Sequence, residues 1–259
     1  MNRYATLLAV ASAAALLTTL HAADAQPRLT IDQAAVMAGN VTPGDAPGFP
    51  LTLSRPGHYR LTSDLAVPAD TAGIVISGPG VTLDLGGHRV GGTVRCGVPV
   101  GSATLRCDEP SQFSAKVGIS TVAATGAVIR NGSVAGFPGL GIHYGEATVL
   151  SNLRVVSNSG VGIGGGWYAA GGRLSNVRVE RNGGPGIVCE AMTIEHSMFV
   201  GNAGDGIDCL RSRFSDSIAE GNGGYGVAQG PVAGVRSIDN AQGEPASMAS
   251  AGVRHNTLD

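Results

Sequence analysis

Lysine is almost absent from this 259-residue chain, which carries a single one at Lys116. Any cationic group that contacts a ligand is therefore an arginine, a histidine or that one lysine. Charged residues make up only 14% of the sequence and aromatic residues 4%. With a formal net charge of −2, the chain lacks the basic surface that binds nucleic acid or anionic lipid, so neither is an expected partner.

Long apolar runs are missing except at the N-terminus. Arg3 precedes an apolar run from Ala5 to Leu20, and Ala23-Asp24-Ala25 supplies a small-x-small cleavage site. This pattern predicts that residues 1–25 are a signal peptide, with a retained anchor as the alternative. The mature protein is then exported, periplasmic or secreted, with no membrane association after signal removal.

Glycine is abundant, at 41 residues, and much of it is periodic. A Gly followed by Ile or Val recurs at intervals of 20 to 24 residues, at Gly118, Gly141, Gly162, Gly186, Gly206 and Gly226. A second ladder of small polar residues comprises Asn131, Asn152, Asn176, His196 and Asp216. Each ladder residue precedes the next Gly by 10 residues, so half of every repeat is constant in length and the other half varies. Such repeats are typical of a solenoid, whose variable loops usually form the binding face.

Each repeat reads as short alternating strands, because Gly and Asn interrupt every run before a helix could form. We therefore predict an all-β fold, a single-stranded right-handed parallel β-helix of about seven to eight turns. Its predicted inward column is Ile119, Ile142, Ile163, Ile187, Ile207 and Val227. Left-handed backbone is expected where a second set of asparagines precedes Gly, at Asn158, Asn182, Asn202 and Asn222.

The repeat pattern also sets the expected domain boundaries. Residues 26–56 are predicted to form an N-terminal cap, with a helix over Thr30 to Gly39. Residues 57–243 are predicted to form the β-helix, with an inserted loop at 93–115. Residues 244–259 are expected to be a C-terminal cap or a tail.

The segment Val81-Thr-Leu-Asp-Leu-Gly-Gly-His-Arg-Val90, with the Gly-Ile and Asn repeats after it, resembles the exported bacterial right-handed parallel β-helix proteins of the pectate-lyase-like superfamily. The resemblance covers about residues 57 to 240 and implies the same fold. It implies no single activity, because that superfamily includes lyases, epimerases, glycosidases and accessory proteins. The chain has no Asp-Asp pair, no Asp-Pro-His-Glu and no Arg-x-Pro-x-x-Arg motif.

The chain has four cysteines, and an exported protein usually pairs them. Cys96 and Cys107 lie in the inserted loop and are predicted to form one disulfide. Cys189 and Cys209 occupy equivalent positions one turn apart, within disulfide range, so a second bridge and two buried thiols are both open.

The variable half-turns supply a predicted stripe of ligand-binding side chains. A Trp-Tyr pair on a Gly-rich loop suits stacking on a sugar ring, although folding onto the solenoid flank is an equal alternative. The predicted carbohydrate-binding residues are Glu146, Trp167, Tyr168, Arg173, Glu190 and Asp208.

A catalytic reading uses the same stripe. A lyase or epimerase needs a cation to offset the substrate carboxylate and a base to take the adjacent proton. Arg211 is the candidate cation, with Arg173 and Arg213 as alternatives. His143 and Tyr144 are the candidate bases, with Tyr168 as an alternative. Ordinary solvated side chains are the competing interpretation.

Other polar residues are expected to be structural. Arg154 and Arg178 occupy equivalent positions on the constant face, in a column continued by Met198 and Ile218, and His196 is expected to hydrogen-bond within its ladder. No cofactor and no zinc site are expected. The segment Asp205-Gly206-Ile207-Asp208 resembles one copy of a calcium-binding repeat, which keeps Ca²⁺ as an alternative.

The leading functional hypothesis is an exported protein that binds an extended polysaccharide along the loop-bearing face. The alternatives are a lyase or epimerase acting on uronate polymers, and a structural or adhesive solenoid without a ligand. The sequence leaves catalysis, the polysaccharide and the oligomeric state open.

Overall fold

A computed structural model describes residues 29–109, 116–165, 169, 171–231 and 233–243. One short helix, α1, spans Gln33–Ala38. The strands in chain order are β1 (Leu29–Ile31), β2 (Leu51–Leu53), β3 (Gly57–Leu61), β4 (Leu65–Ala66), β5 (Ile74–Ile76), β6 (Val81–Asp84), β7 (Arg89–Gly91), β8 (Cys96–Gly97), β9 (Arg106–Cys107), β10 (Ile119–Ser120), β11 (Val128–Ala135), β12 (Ile142–Tyr144), β13 (Val149–Val156), β14 (Ile163–Gly165), β15 (Arg173–Glu180), β16 (Ile187–Glu190), β17 (Thr193–Glu195), β18 (Met198–Val200), β19 (Ile207–Leu210), β20 (Arg213–Ser215), β21 (Ser217–Glu220), β22 (Val227–Gln229) and β23 (Val235–Ile238).

Face 1 of the solenoid is an eight-stranded parallel sheet in the order β2-β5-β10-β12-β14-β16-β19-β22. Its strands pair in register so that each Ile after the periodic Gly lies beside the next. The predicted inward column is confirmed, because all six of its side chains are fully buried. Leu51 and Ile74 extend that column toward the N-terminus. The fold is therefore the predicted right-handed parallel β-helix, with about eight turns.

Faces 2 and 3 come from one larger parallel sheet whose long strands bend in the middle. In β13, Ser151 pairs with Ser175 and Leu153 pairs with Val177, while Asn152 between them has φ 53°. Face 2 contains the strand halves before this bend, together with β3, β6, β17 and β20. Face 3 contains the halves after it, together with β7, β18, β21 and β23. Inward Leu, Val, Ile and Phe from all three faces fill one continuous core.

Residues with left-handed backbone lie at the corners between the faces. At the corner between faces 2 and 3 it falls on the small polar ladder, Asn131, Asn152, Asn176, His196 and Asp216. At the corner between faces 3 and 1 it falls on Ser157, Arg181, Gly201 and Gly221. The expectation for Asn158, Asn182, Asn202 and Asn222 is wrong by one position, because the residue before each asparagine makes the bend.

Those four asparagines form a buried ladder that runs along the corner between faces 3 and 1. Each is at most 1% exposed. The Asn182 Nδ2 donates to Asn202 Oδ1 at 2.9 Å, and the Asn182 backbone N–H donates to the same oxygen at 3.1 Å. The pattern repeats from Asn158 through Asn222 to Asn240. Each amide thereby satisfies a buried backbone donor of the turn before it.

The N-terminal segment joins the solenoid directly. Asp32 caps α1 by accepting the Ala35 N–H at 2.7 Å, and Val36 is fully buried in the core. The predicted helix is present, although it is short. β1 pairs with β3 and β2 pairs with β5, both in parallel. The parallel ladder therefore begins inside residues 26–56, the segment expected to be a cap.

The insertion forms an antiparallel hairpin, β8 with β9, and Cys96 bonds to Cys107 across it. It lies against later turns: the Ser159 hydroxyl donates to the Glu109 carbonyl at 2.6 Å, and Arg181 donates to the Cys96 carbonyl at 3.5 Å. Cys189 and Cys209, paired in register on β16 and β19, form a second disulfide. Of the two alternatives that the sequence left open for Cys189 and Cys209, the structure therefore has the disulfide and not two buried thiols.

The buried ladder predicts a large stability loss in Asn202→Ala. The substitution leaves the Asn182 N–H without its acceptor and removes one donor from the Val179 carbonyl. Unsatisfied buried groups cost about 1–3 kcal/mol each, so we expect a loss of roughly 3 kcal/mol in the free energy of unfolding, measured by circular dichroism. The control is Asn176→Gly, which removes an exposed corner amide while keeping left-handed backbone accessible. Equal losses in the two variants would contradict a special role for the buried ladder.

The disulfides predict the result of peptide mapping of the mature protein without reductant. We expect two cross-linked peptide pairs, Cys96 with Cys107 and Cys189 with Cys209. Recovery of a bridge between the inserted hairpin and Cys189, or of free Cys96 and Cys107, would contradict the pairing.

Candidate functional site

Face 1 presents one outward residue per turn, two positions after the periodic Gly. In-register pairing aligns these residues along the solenoid axis, and we call them the face 1 row: Ser120, His143, Gly164, Val188 and Asp208. Neighbouring members lie one strand spacing apart, about 4.8 Å. The row is therefore a regular linear array and not a compact cluster.

The corners that flank face 1 differ in regularity. Between faces 3 and 1 the connection has six residues in five successive turns, at 136–141, 157–162, 181–186, 201–206 and 221–226. Between faces 1 and 2 the connection after β12 covers 145–148, after β14 it covers 166–172, and after β16 only 191–192. The variable half-turn expected from the sequence is thus the corner between faces 1 and 2, beside the row.

His143 is the central polar residue of the row. It is half-buried, and burial lowers the pKa of its imidazole below the ordinary value of 6.5. The Leu140 side chain lies over Gly164, the next member of the row, where an added Cβ would meet Leu140 Cδ2 at 2.5 Å. At neutral pH His143 is therefore a neutral ring that can accept or donate one hydrogen bond.

Asp208 lies three strands further along the row. Burial, followed by the nearby charge of Asp205, raises the pKa of its carboxyl above 3.8. Asp205 sits on the corner between faces 3 and 1, where its Oδ1 accepts the Tyr225 N–H at 2.7 Å. The Asp208 carboxyl makes no hydrogen bond or ion pair within the described chain, which leaves it available to a ligand.

The remaining stripe residues lie on the variable corner. Glu190 ends β16 and forms an ion pair with Arg211 of the next turn. Arg211, the candidate cation, is thus already neutralised by a neighbouring carboxylate. Glu146 is exposed and has no ion-pair partner among the described residues, while its carbonyl accepts the Gly126 N–H at 2.9 Å.

Four of the expected site residues are placed differently or lie outside the described chain. Tyr144 points inward and is fully buried, its hydroxyl against Gly165, so it does not reach the surface as a base. Its neighbour His143 takes the outward position, as strand alternation requires. Arg173 begins β15 on face 2 and pairs with Glu195 at 2.5 Å, so it does not join the stripe. Trp167 and Tyr168 lie outside the described residues.

The arginines of the other faces have structural partners. Arg178 Nε contacts the Glu180 carboxylate at 2.5 Å, and Arg154 binds the same carboxylate. Burial opposes the ionisation of Glu180, but the two arginines outweigh it and hold the pKa below its ordinary value. These contacts agree with the expectation that the Arg154 and Arg178 column is structural.

Metal binding has little support in the described part of the chain. No group of three His, Cys, Asp or Glu side chains comes together there. Asp205 and Asp208 supply two carboxylates, and one oxygen of Asp205 is already bound to the Tyr225 backbone. Within the same residues, no helix has the length and apolar character needed to cross a bilayer.

The structure adds one position that the sequence pattern did not single out. The residue immediately before five of the six periodic glycines is half-exposed on the corner between faces 3 and 1: Leu140, Val161, Pro185, Asp205 and Tyr225. Because this position has a constant offset from Gly, the sequence could have identified it. The side chains differ too much from turn to turn to resemble a repeat, and only Asp205 bears on the charge of the row.

The row is better suited to extended contact than to one catalytic centre. His143 and Asp208 are three strand spacings apart, about 14 Å, which is beyond the reach of a single reacting bond. A linear polymer lying along the solenoid axis could contact both. Flat sugar rings could also lie against Val188 of the row and against Leu140, whose side chain covers Gly164.

Comparison with protein families agrees with the architecture. Residues 111–233 match a family model described as the right-handed β-helix region. No curated protein matches the sequence. Among solved structures, the chain is similar to pectate lyase Pel9A at 13% identity and a TM-score of 0.46, covering 75% of this chain and 55% of that one. It is similar to the Dettilon tailspike protein at 17% identity and a TM-score of 0.44, covering 80% and 48%. The chain therefore spans about half the length of each.

The raised pKa of Asp208 predicts that Asp208→Asn stabilises the protein at neutral pH. In the fold the ionised carboxyl is disfavoured, and this cost disappears as the pH falls through the folded-state pKa. The melting temperature of the variant should therefore exceed that of the wild type at neutral pH, and the gap should close in acid. Glu220→Gln on face 3 is the control for loss of one negative charge. A gap that is absent at neutral pH, or equal in the control, would contradict the assignment.

Proposed function

Because the chain is a right-handed parallel β-helix repeat protein, we propose that it binds an extended polysaccharide along face 1. The observation that carries this proposal is the face 1 row, which repeats one outward side chain per strand in register. A polymer with a repeating unit matches such an array better than a compact metabolite, because each unit meets an equivalent surface.

The flanking corners support the choice of face. Six-residue connections on one side keep the strands of face 1 in register, while the connections on the other side vary in length beside the row. In repeat proteins, binding residues concentrate where such loops project from a rigid scaffold. Faces 2 and 3 join through a single left-handed residue in each of three long strands, so their shared corner has no projecting loop there.

Polysaccharide lyase or epimerase activity is the second candidate. Its support is His143, a half-buried imidazole that stays neutral at physiological pH and could take a proton. It also needs a free cation to offset a substrate carboxylate. Arg211 is paired with Glu190, and Arg173 lies on face 2 with Glu195. The described part of face 1 thus favours polysaccharide binding over lyase or epimerase chemistry. The third hypothesis is a structural or adhesive solenoid that binds no ligand.

Export is part of the proposal. Two disulfides close in the fold, and disulfides persist in oxidising compartments such as the periplasm or the exterior of the cell. The predicted signal peptide at residues 1–25 gives the same localisation.

The binding proposal predicts that His143→Ala weakens polysaccharide binding. We expect a loss on the order of 1 kcal/mol, about fivefold in Kd, for removal of one contacting side chain from the row. Affinity electrophoresis or pull-down against a panel of neutral, uronate and amino polysaccharides would measure it. The matched control is His58→Ala, since His58 is an exposed histidine on face 2.

Trp167→Ala should weaken binding by a similar amount if the tryptophan stacks on a sugar.

Equal effects of His143→Ala and His58→Ala would show that face 1 is the wrong face. Release of unsaturated products by the wild type, lost in His143→Ala with binding retained, would favour the enzyme. Failure to bind any polymer in the panel would exclude both carbohydrate proposals.

A further inference from the structure

The three faces of the solenoid differ sharply in charge. Among the eight strands of face 1 there is no arginine and no lysine. The strands of faces 2 and 3 carry eight arginines, Arg60, Arg89, Arg130, Arg154, Arg173, Arg178, Arg213 and Arg236. Since the chain as a whole is nearly neutral, this segregation leaves face 1 as the acidic side of the solenoid.

The acidic groups on face 1 and its corners are mostly unpaired. Between β12 and β22 they are Glu146, Glu190, Asp205 and Asp208. Only Glu190 forms an ion pair, with Arg211. The other corner arginine in this stretch, Arg181, donates to the Cys96 carbonyl of the inserted hairpin. Three carboxylates thus lie on face 1 or its corners without an ion pair among the described residues, although one oxygen of Asp205 accepts the Tyr225 N–H.

This charge distribution bears on the chemical class of the ligand. A polyuronate carries one carboxylate per sugar, and each would need a cation or several hydrogen-bond donors to replace its water. Face 1 offers a neutral imidazole at His143 and like charge at Asp208 and Glu146, and opposed like charges disfavour association. All eight arginines of the described strands lie on faces 2 and 3, where several are bound to buried carboxylates, as Arg60 and Arg130 are to Asp84. On the corners of face 1, Arg211 is paired with Glu190, which leaves the charge of Arg181 as the one cation there without a carboxylate among the described residues of this stretch.

We propose that the polysaccharide bound on face 1 carries protonated amino groups, as a polymer containing free glucosamine does. This inference rests on the proposed function. The available carboxyl of Asp208, in the row itself, receives one amine. Glu146 lies three strands away along the solenoid axis, on the corner beside the row, where it receives another amine from the same chain. Partial burial strengthens such contacts, because a half-buried carboxylate is less screened by solvent than an exposed one.

The proposal predicts a specific order of affinities. Chitosan oligosaccharides should bind more tightly than fully N-acetylated oligosaccharides of the same length, and both more tightly than oligogalacturonate. The test is isothermal titration calorimetry with the mature protein, in a buffer where the glucosamine amines are protonated. Binding of the amine-bearing ligand should weaken as salt is raised, because ion pairs at the surface are screened.

Matched variants separate a site from general attraction to an acidic protein. Asp208→Asn should weaken chitosan oligosaccharide binding about tenfold, the effect of losing one charge-assisted contact. Glu220→Gln removes the same charge from face 3 and should change the Kd less than twofold.

Each alternative outcome is distinguishable. Equal binding of the acetylated oligosaccharide, tighter binding of oligogalacturonate, or equal losses in Asp208→Asn and Glu220→Gln would overturn the amine assignment and leave polysaccharide binding standing. Absence of binding to every polysaccharide would instead remove the proposed function, and this inference with it.

Discussion

The architecture depends on one interaction, the amide-to-amide hydrogen bond repeated along the corner between faces 3 and 1. In each turn the asparagine oxygen accepts both the side-chain and the backbone N–H of the asparagine before it. Its own Nδ2 also donates to a strand carbonyl, as Asn202 does to Val179 at 3.2 Å. A buried corner would otherwise leave these polar groups without water. The ladder lets the chain turn sharply inside an apolar core and sets one turn directly above the next.

Charge placement follows from this scaffold. Because every turn stacks in register, a residue type that recurs at one position becomes a column, and a carboxylate in one turn can bridge arginines in two. Glu180 does this for Arg154 and Arg178, and Asp84 does it for Arg60 and Arg130. With the pair of Arg173 and Glu195, five of the eight strand arginines on faces 2 and 3 are held by carboxylates. Face 1 keeps few such pairs, so its polar side chains remain open to solvent and to a ligand.

The sequence was sufficient for the fold and for the outward placement of His143, for a physical reason. Side-chain alternation and the constant spacing from Gly determine direction, which is why the inward isoleucine column and the outward position of His143 follow from the pattern. Tyr144 was misplaced because its polar hydroxyl suggested chemistry, whereas its parity put it in the core. Arg173 was misplaced because the corner before it has no fixed length, so counting residues does not show where face 2 begins. The partner of Arg211 is Glu190 of the neighbouring turn, and no single repeat contains that information.

The difference between the corners also determines whether a change in loop length in one turn alters the strand register of the next. A turn with a longer connection between faces 1 and 2, such as 166–172 after β14, still ends at a six-residue corner of the same length as its neighbours. Each asparagine therefore resets the register once per turn, and an offset introduced in one loop does not pass to the next. The corner between faces 1 and 2 can therefore change in length while the remaining parts of each turn stay in register. New loops could be grafted there one turn at a time, while the corner that carries the buried amides tolerates no such change.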